Sequence, residues 1–198
     1  MSRSAELNRK TGETDVQVSL DLDEDRAQEI DTGVGFFDHM LELLARHGRI
    51  ALAVTVKGDL ETGSHHTVED TGIVLGQALD QALGDRRGIR RYGHAVVPMD
   101  EARAACAIDV SGRPYCAVTG LDLPPGAIAG FEHEAAEEFF RAVASVARLT
   151  LHLELQAGTN AHHMIEACFK AFARALRQAV AVDPGETGVP STKGTLTE

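Results

Sequence analysis

The chain has 198 residues, 43% of them hydrophobic and 25% charged, enough apolar content for a substantial core in one domain or two small ones. A net charge of −11 argues against binding a nucleic-acid backbone. No stretch reaches membrane-spanning length, the start "MSRSAELNRKTGETDVQ" has no apolar signal core, and Cys106, Cys116 and Cys168 lack ligand spacing, so a reduced, cytoplasmic protein is expected.

In chain order, "TDVQVSLDLD" (14–23) alternates apolar and polar residues, as a half-buried strand does. "FFDHMLELLARHG" (36–48) carries apolar residues at helical spacing and ends on glycine, and "IALAVTV" (50–56) is again a strand. "HHTVEDTGIVLGQALDQALG" (65–84) is a second helix. From Gly88 the pattern restarts, with strands in "GHAVVPMD", "EARAACAIDVSG" and "PYCAVTG" and a loop in "LPPGAIAG". A helix over 131–147, the strand "LTLHLEL" and a helix over 161–181 complete it.

This restart is a duplication. An offset of 97 maps His65, His66 and Glu69 onto His162, His163 and Glu166, and an offset of 99 maps Arg49 onto Arg148 and Leu52, Val54 and Val56 onto Leu151, Leu153 and Leu155. The expected fold is therefore α+β and internally duplicated. Each half is a roughly four-stranded sheet with two helices on one face. Residues 1–87 form the first repeat and 88–198 the second, which adds a C-terminal tail, all in one compact unit. The uncovered sheet faces imply packing between halves or subunits.

The paired histidines carry the chemistry. Helical neighbours point about 100° apart, so His65 and His66 serve different ions, as do His162 and His163. His65 and Glu69, like His162 and Glu166, stand four apart and share a helical face. One such HxxxE is ordinarily a solvated pair; two at equivalent positions of a duplicated chain point to metal, and to two ions. Imidazole and carboxylate without thiolate suit Mn²⁺ better than structural zinc, although Fe²⁺, Co²⁺ or Zn²⁺ can substitute. His39, near the start of its helix, is the natural further ligand, and the repeat places Glu138 at the same position. His47 is either a charge at a helix C-terminus or a substrate contact. His94, His133 and His152 belong to no constellation, although His133 lies near Glu138.

"DTGVGFFDHM", "HHTVED", "PMDEA", "DVSGRPY", "HHMIEACFKAFARALRQA" and "VPSTKG" together resemble imidazoleglycerol-phosphate dehydratases of histidine biosynthesis, over nearly the whole chain. The resemblance implies metal-dependent removal of water from imidazoleglycerol phosphate, giving imidazole acetol phosphate. It implies homo-oligomers, trimers assembling into a 24-mer, with two Mn²⁺ per active site at subunit interfaces. One ion would draw on His39, His65, Glu69 and one histidine of the second pair. The other would draw on His66, Glu166, the remaining histidine and a residue of the 131–140 helix. Glu13 and Asp100 match carboxylates near the substrate and count, with Glu69 and Glu166, as candidate catalytic groups. Arg91, Arg113, Lys170, Ser191 and Lys193 match phosphate positions, with His47 and Glu13 also counted at the substrate. Two positions depart from the family pattern: Leu43 stands where Gln is usual and Glu138 where His is usual. At the second, Glu138 itself, His133, Glu134 or water fills the ligand position, with Glu138 preferred. Two rivals use similar ligands: a di-metal hydrolase, and a non-catalytic oligomer held together by metal.

Overall fold

Alternation in the first strands sets the orientation of the first sheet: Val16, Val18 and Leu20 are buried while Gln17 and Ser19 face outward. They belong to β2 (Thr14–Asp21), which pairs antiparallel with β1 (Ser4–Lys10) and with β4 (Ala51–Gly58). The two-residue β3 (Ile30–Asp31) adds parallel to β4, giving the order β1-β2-β4-β3. The second half repeats this scheme with β5 (Tyr92–Met99), β6 (Ala102–Asp109), β7 (Tyr115–Thr119) and β10 (Thr150–Ala157) in the order β5-β6-β10-β7, the last pair again parallel. A computed structural model provides these coordinates and describes residues 3–24 and 29–196.

Helices α1 (Gly35–Gly48) and α2 (His65–Leu83) belong to the first half, α3 (Ala135–Val146) and α4 (Ala161–Val180) to the second. The first expectation for α3 was too long. Phe131–Glu132 is a short strand, β9, paired with β8 (Ala127–Ile128) inside the stretch expected to be loop, and the helix starts at Ala135. Phe131 is fully buried, and a strand holds that side chain in the core while leaving the chain free to turn into α3.

The helices of the two halves face each other between the sheets. α2 lies on β1 and β2 and against α3; α4 lies on β5 and β6 and against α1. Aromatic rings bind the seam, with Phe37 of α1 5.5 Å from Phe139 of α3, and Phe139 stacked 5.1 Å from Phe169 of α4. Each buried phenylalanine is worth roughly 1.5–3 kcal/mol. The duplication extends to backbone detail: Arg49 and Arg148, after α1 and α3, both adopt left-handed conformations, with φ of 50° and 54°. Among the described residues no helix is long and apolar enough to cross a membrane. The three cysteines are free, and burial raises each thiol pKa above the ordinary value, to about 12 for Cys168 and about 11 for Cys116.

β5 approaches α4 closely enough that a Cβ on Gly93 would run into the Ala175 carbonyl and the Ala179 amide. Both obstacles are backbone and cannot rotate away. Gly93→Ala is therefore expected to destabilise by about 3 kcal/mol and lower Tm by about 6–12 °C, measured by thermal unfolding; an unchanged Tm would show that the strand can move off the helix.

Candidate metal centre

Three helix starts carry the histidines, and each start is fixed by a polar side chain. At α1, Asp38 accepts from the Thr32 amide (2.8 Å) and hydroxyl (2.6 Å), which ties the preceding loop to the first turn and orients His39. At α4, Asn160 Oδ1 accepts from the amides of His162 (2.9 Å) and His163 (3.3 Å), as an N-cap does. At α2, the cap is borrowed from the other half: Glu132 accepts from the Ser64 amide (2.9 Å) and hydroxyl. Burial opposes the Glu132 charge, but the Ser64 donors hold its carboxyl below the usual range.

The packing of α1 on α4 brings together donors that are far apart in sequence. Glu166 Oε2 lies 3.0 Å from His162 Nε2 and 3.5 Å from His39 Nε2. These three residues are the one group among the described residues whose ligand atoms all fall within 4.8 Å of one another. Glu166 is buried, and its other oxygen pairs with Lys170 Nζ at 2.5 Å. Burial works against its charge, yet Lys170 and the histidines keep the carboxyl ionised below its ordinary pKa. Within one chain His39 therefore stands with Glu166 and His162, while His65 and Glu69 lie outside this group. The reason is that α1 packs on α4.

His65 and Glu69 form their own pair on α2 at 3.6 Å, both about half exposed. The second histidine of each doublet turns away from the first, with ring centroids 6.0 Å apart in both halves. Each is held by a carboxylate: His66 Nδ1 donates to Asp59 (3.0 Å), and His163 Nδ1 donates to Glu101 (2.7 Å). These bonds leave each Nε2 lone pair free, the arrangement that orients a metal-ligating imidazole. Asp59 raises the His66 pKa and Glu101 raises that of His163, while Glu101 itself falls to about 2, chiefly through the His163 bond. Glu13, in the β1–β2 turn, stands 3.9 Å from His66 Nε2; Asp100, in the β5–β6 turn, stands 3.8 Å from His163 Nε2. The duplicated hairpins thus place one exposed carboxylate beside each of these histidines.

Asp59 and Glu101 escaped the sequence reading. Glu101 adjoins Asp100 in "PMDEA", which was a usable signal; Asp59 has no acidic counterpart at either repeat offset. Replacing Glu101 by Gln removes the charged acceptor that orients His163, so metal affinity is expected to fall about 10–100-fold, measured by competition with a chromogenic chelator. No change would mean that the Glu101 contact does not orient a ligand.

Glu138 is absent from the trio. It lies on the face of α3 toward Cys116 and Arg141, where its charge acts on both. His133 Nδ1 donates to the Pro124 carbonyl at 2.8 Å. His47 sits among Lys170, Arg174 and Arg46; burial first, then these cations, lower its pKa.

The remaining phosphate candidates gather elsewhere. Arg91 is bidentate to Asp109 (2.7 and 3.0 Å), and its remaining bond, to the Pro190 carbonyl (2.9 Å), holds the tail next to Ser191. The Lys193 amide bonds Ser191 Oγ at 3.2 Å, and Arg113 Nη1 reaches back to the Ser111 carbonyl at 3.4 Å. The Arg91 amide donates to Ala179, in the last turn of α4, whereas His162 is in the first. At about 1.5 Å per residue these two turns of α4 lie roughly 25 Å apart.

Comparison with known proteins adds three findings. The family model described as imidazoleglycerol-phosphate dehydratase matches residues 32–176. Imidazoleglycerol-phosphate dehydratases of Symbiobacterium thermophilum and Moorella thermoacetica are 58% and 55% identical to this chain; the alignments cover 98% and 99% of it and 93% and 100% of those proteins. The crystal structure of the Staphylococcus aureus imidazoleglycerol-phosphate dehydratase superposes with a TM-score of 0.82 at 40% identity, covering 91% of this chain and 99% of that one.

Proposed function

The chain belongs to the imidazoleglycerol-phosphate dehydratase family and is a hydro-lyase of that class, and from this premise we propose that it dehydrates imidazoleglycerol phosphate to imidazole acetol phosphate with two Mn²⁺ per active site. The observation that carries the metal dependence is the His39–His162–Glu166 trio. Its donors are imidazole and carboxylate, a set that fits Mn²⁺. His66 and His163, with Nε2 free, are the ligands proposed for the second ion, and the exposed His65–Glu69 pair is offered to a neighbouring chain. Bound ions supply Lewis-acid stabilisation of charge developing on the imidazole ring. Glu13 and Asp100 are the carboxylates proposed to take and return protons. Arg113, Ser191, Lys193 and Lys170 hold the phosphate, with Arg91 fixing the tail.

The same helix spacing supports assembly. A glycerol phosphate is far shorter than the roughly 25 Å between the first turn of α4, which carries His162, and the last, where Arg91 is anchored, which supports a site drawn from more than one chain. Sites at subunit interfaces, in trimers forming a 24-mer in the cytoplasm, answer this requirement. Glu138, outside the trio within one chain, is proposed to join a site through such an interface.

Product analysis tests the reaction. Imidazoleglycerol phosphate incubated with metal-replete protein should lose one water and keep its phosphate. Release of inorganic phosphate would favour a di-metal hydrolase, and an assembled protein without turnover would favour a purely structural metal.

A further inference from the structure

Among the described residues Arg86 is the largest fully buried side chain, at 0% exposure. Taking a guanidinium out of water costs several kcal/mol unless excellent geometry offsets it, and burial depresses this one's pKa. Its planar fork reaches three separate segments. One nitrogen bonds Asp80 of α2 (2.6 Å) and the Ala147 carbonyl after α3 (3.1 Å); another bonds the Leu196 carbonyl in the tail. The first two segments have a second tie, because Arg148 also pairs with Asp80 at 2.9 Å. What Arg86 alone adds is the tail.

The tail is shaped to receive it. Leu196 is 4% exposed. The loop carrying Arg113 passes so close that a Cβ on Gly112, at φ 75°, would coincide with the Leu196 carbonyl. Upstream, the tail is pinned at Gly188, whose carbonyl accepts from the Gly88 amide (2.8 Å), and at Pro190, held by Arg91. Between these anchors and Leu196 lies the turn of Ser191 to Gly194, closed by the Gly194 amide on the Ser191 carbonyl at 2.9 Å.

We infer that Arg86 is a positioning residue for phosphate recognition: by holding the Leu196 carbonyl it fixes the far end of the turn that presents Ser191 and Lys193, and seats the Arg113 loop beside it. The inference rests on the proposed dehydratase reading for what the turn binds, but not for where the turn stands. Arg86 touches no substrate; it acts through the tail.

Chain-length variants separate this role from general stability, because they leave the Arg86 side chain in place. A chain ending at Leu196 keeps an oxygen for Arg86, whereas one ending at Thr195 loses it. In the Mn²⁺-loaded full assembly, the Leu196-ending chain should discriminate between imidazoleglycerol phosphate and phosphate-free imidazoleglycerol as the whole chain does. The Thr195-ending chain should lose that discrimination about tenfold or more, the scale of a charge-assisted hydrogen bond, through weaker binding of the phosphate ester alone. Full-length Arg86→Lys, which cannot reproduce the fork, should show the same selective loss and faster hydrogen exchange at the amides of 191–194. Equal losses for both compounds, or unaltered discrimination in the Thr195-ending chain, would overturn the inference. A wild-type protein that does not prefer the phosphate ester would instead overturn the function reading, whereas slow exchange at 191–194 in Arg86→Lys would contradict the positional claim on its own.

Discussion

Glu166→Gln is expected to reduce kcat/KM by on the order of 10³-fold while leaving the fold intact. Among the described residues Glu166 is the one carboxylate placed between two imidazoles, His39 and His162, and its second oxygen pairs with Lys170. Gln keeps the shape but offers those imidazoles no charge, so the ion proposed there loses its anionic ligand. A metal is credited with several kcal/mol of charge stabilisation, and at about 1.36 kcal/mol per tenfold that reaches three decades. Stopped assays of the purified variant, with circular dichroism as the fold control, measure it. A variant within tenfold of wild type would remove Glu166 from the metal centre.

Subunit mixing gives an effect as large in the opposite direction. An Arg113→Ala/Lys193→Ala double variant should lose phosphate binding at roughly 1.5–3 kcal/mol per contact, on the order of 10²–10⁴-fold in kcat/KM. Each inactive parent has one half of the site intact, Glu166→Gln the tail and the double variant the trio. Dissociated by chelation and reassembled together with Mn²⁺, they should regain up to roughly a quarter of wild-type activity, because random pairing of copies gives that share of unmutated interfaces. Two parents that stay inactive when mixed, despite forming common particles, would show that trio and tail do not meet between chains.

Much of the fold was legible because it was written twice. Periods of two and of 3.6 residues located β2, β4, the second hairpin and all four helices, though not β1, and the shared offsets exposed the duplication that the matched sheet orders and the left-handed Arg49 and Arg148 display. The short elements were not legible: β3 and β9 have two residues each, too few for any period to register. In the site, local spacing identified the two divergent doublets correctly as doublets. It could not say that His39 meets Glu166, since that depends on α1 packing against α4, a contact in which Phe36 meets the His162 ring edge-on at 4.9 Å. Arg86 was hidden for a related reason. In "DRRGIRR" it reads as one of several solvated arginines, and only the fold shows that this one alone is fully buried while Arg87 lies exposed.

The central claim, that this dehydratase works through metal held by its histidine doublets, meets its most direct test in a metal titration. The protein is stripped with EDTA and Mn²⁺ is returned in measured amounts while dehydration and particle mass are followed together. Turnover should vanish with the metal, particle mass should fall as the shared ligands separate, and both should return as binding approaches about two ions per chain. Full dehydratase activity in metal-free protein, or saturation at one ion per chain, would contradict the account.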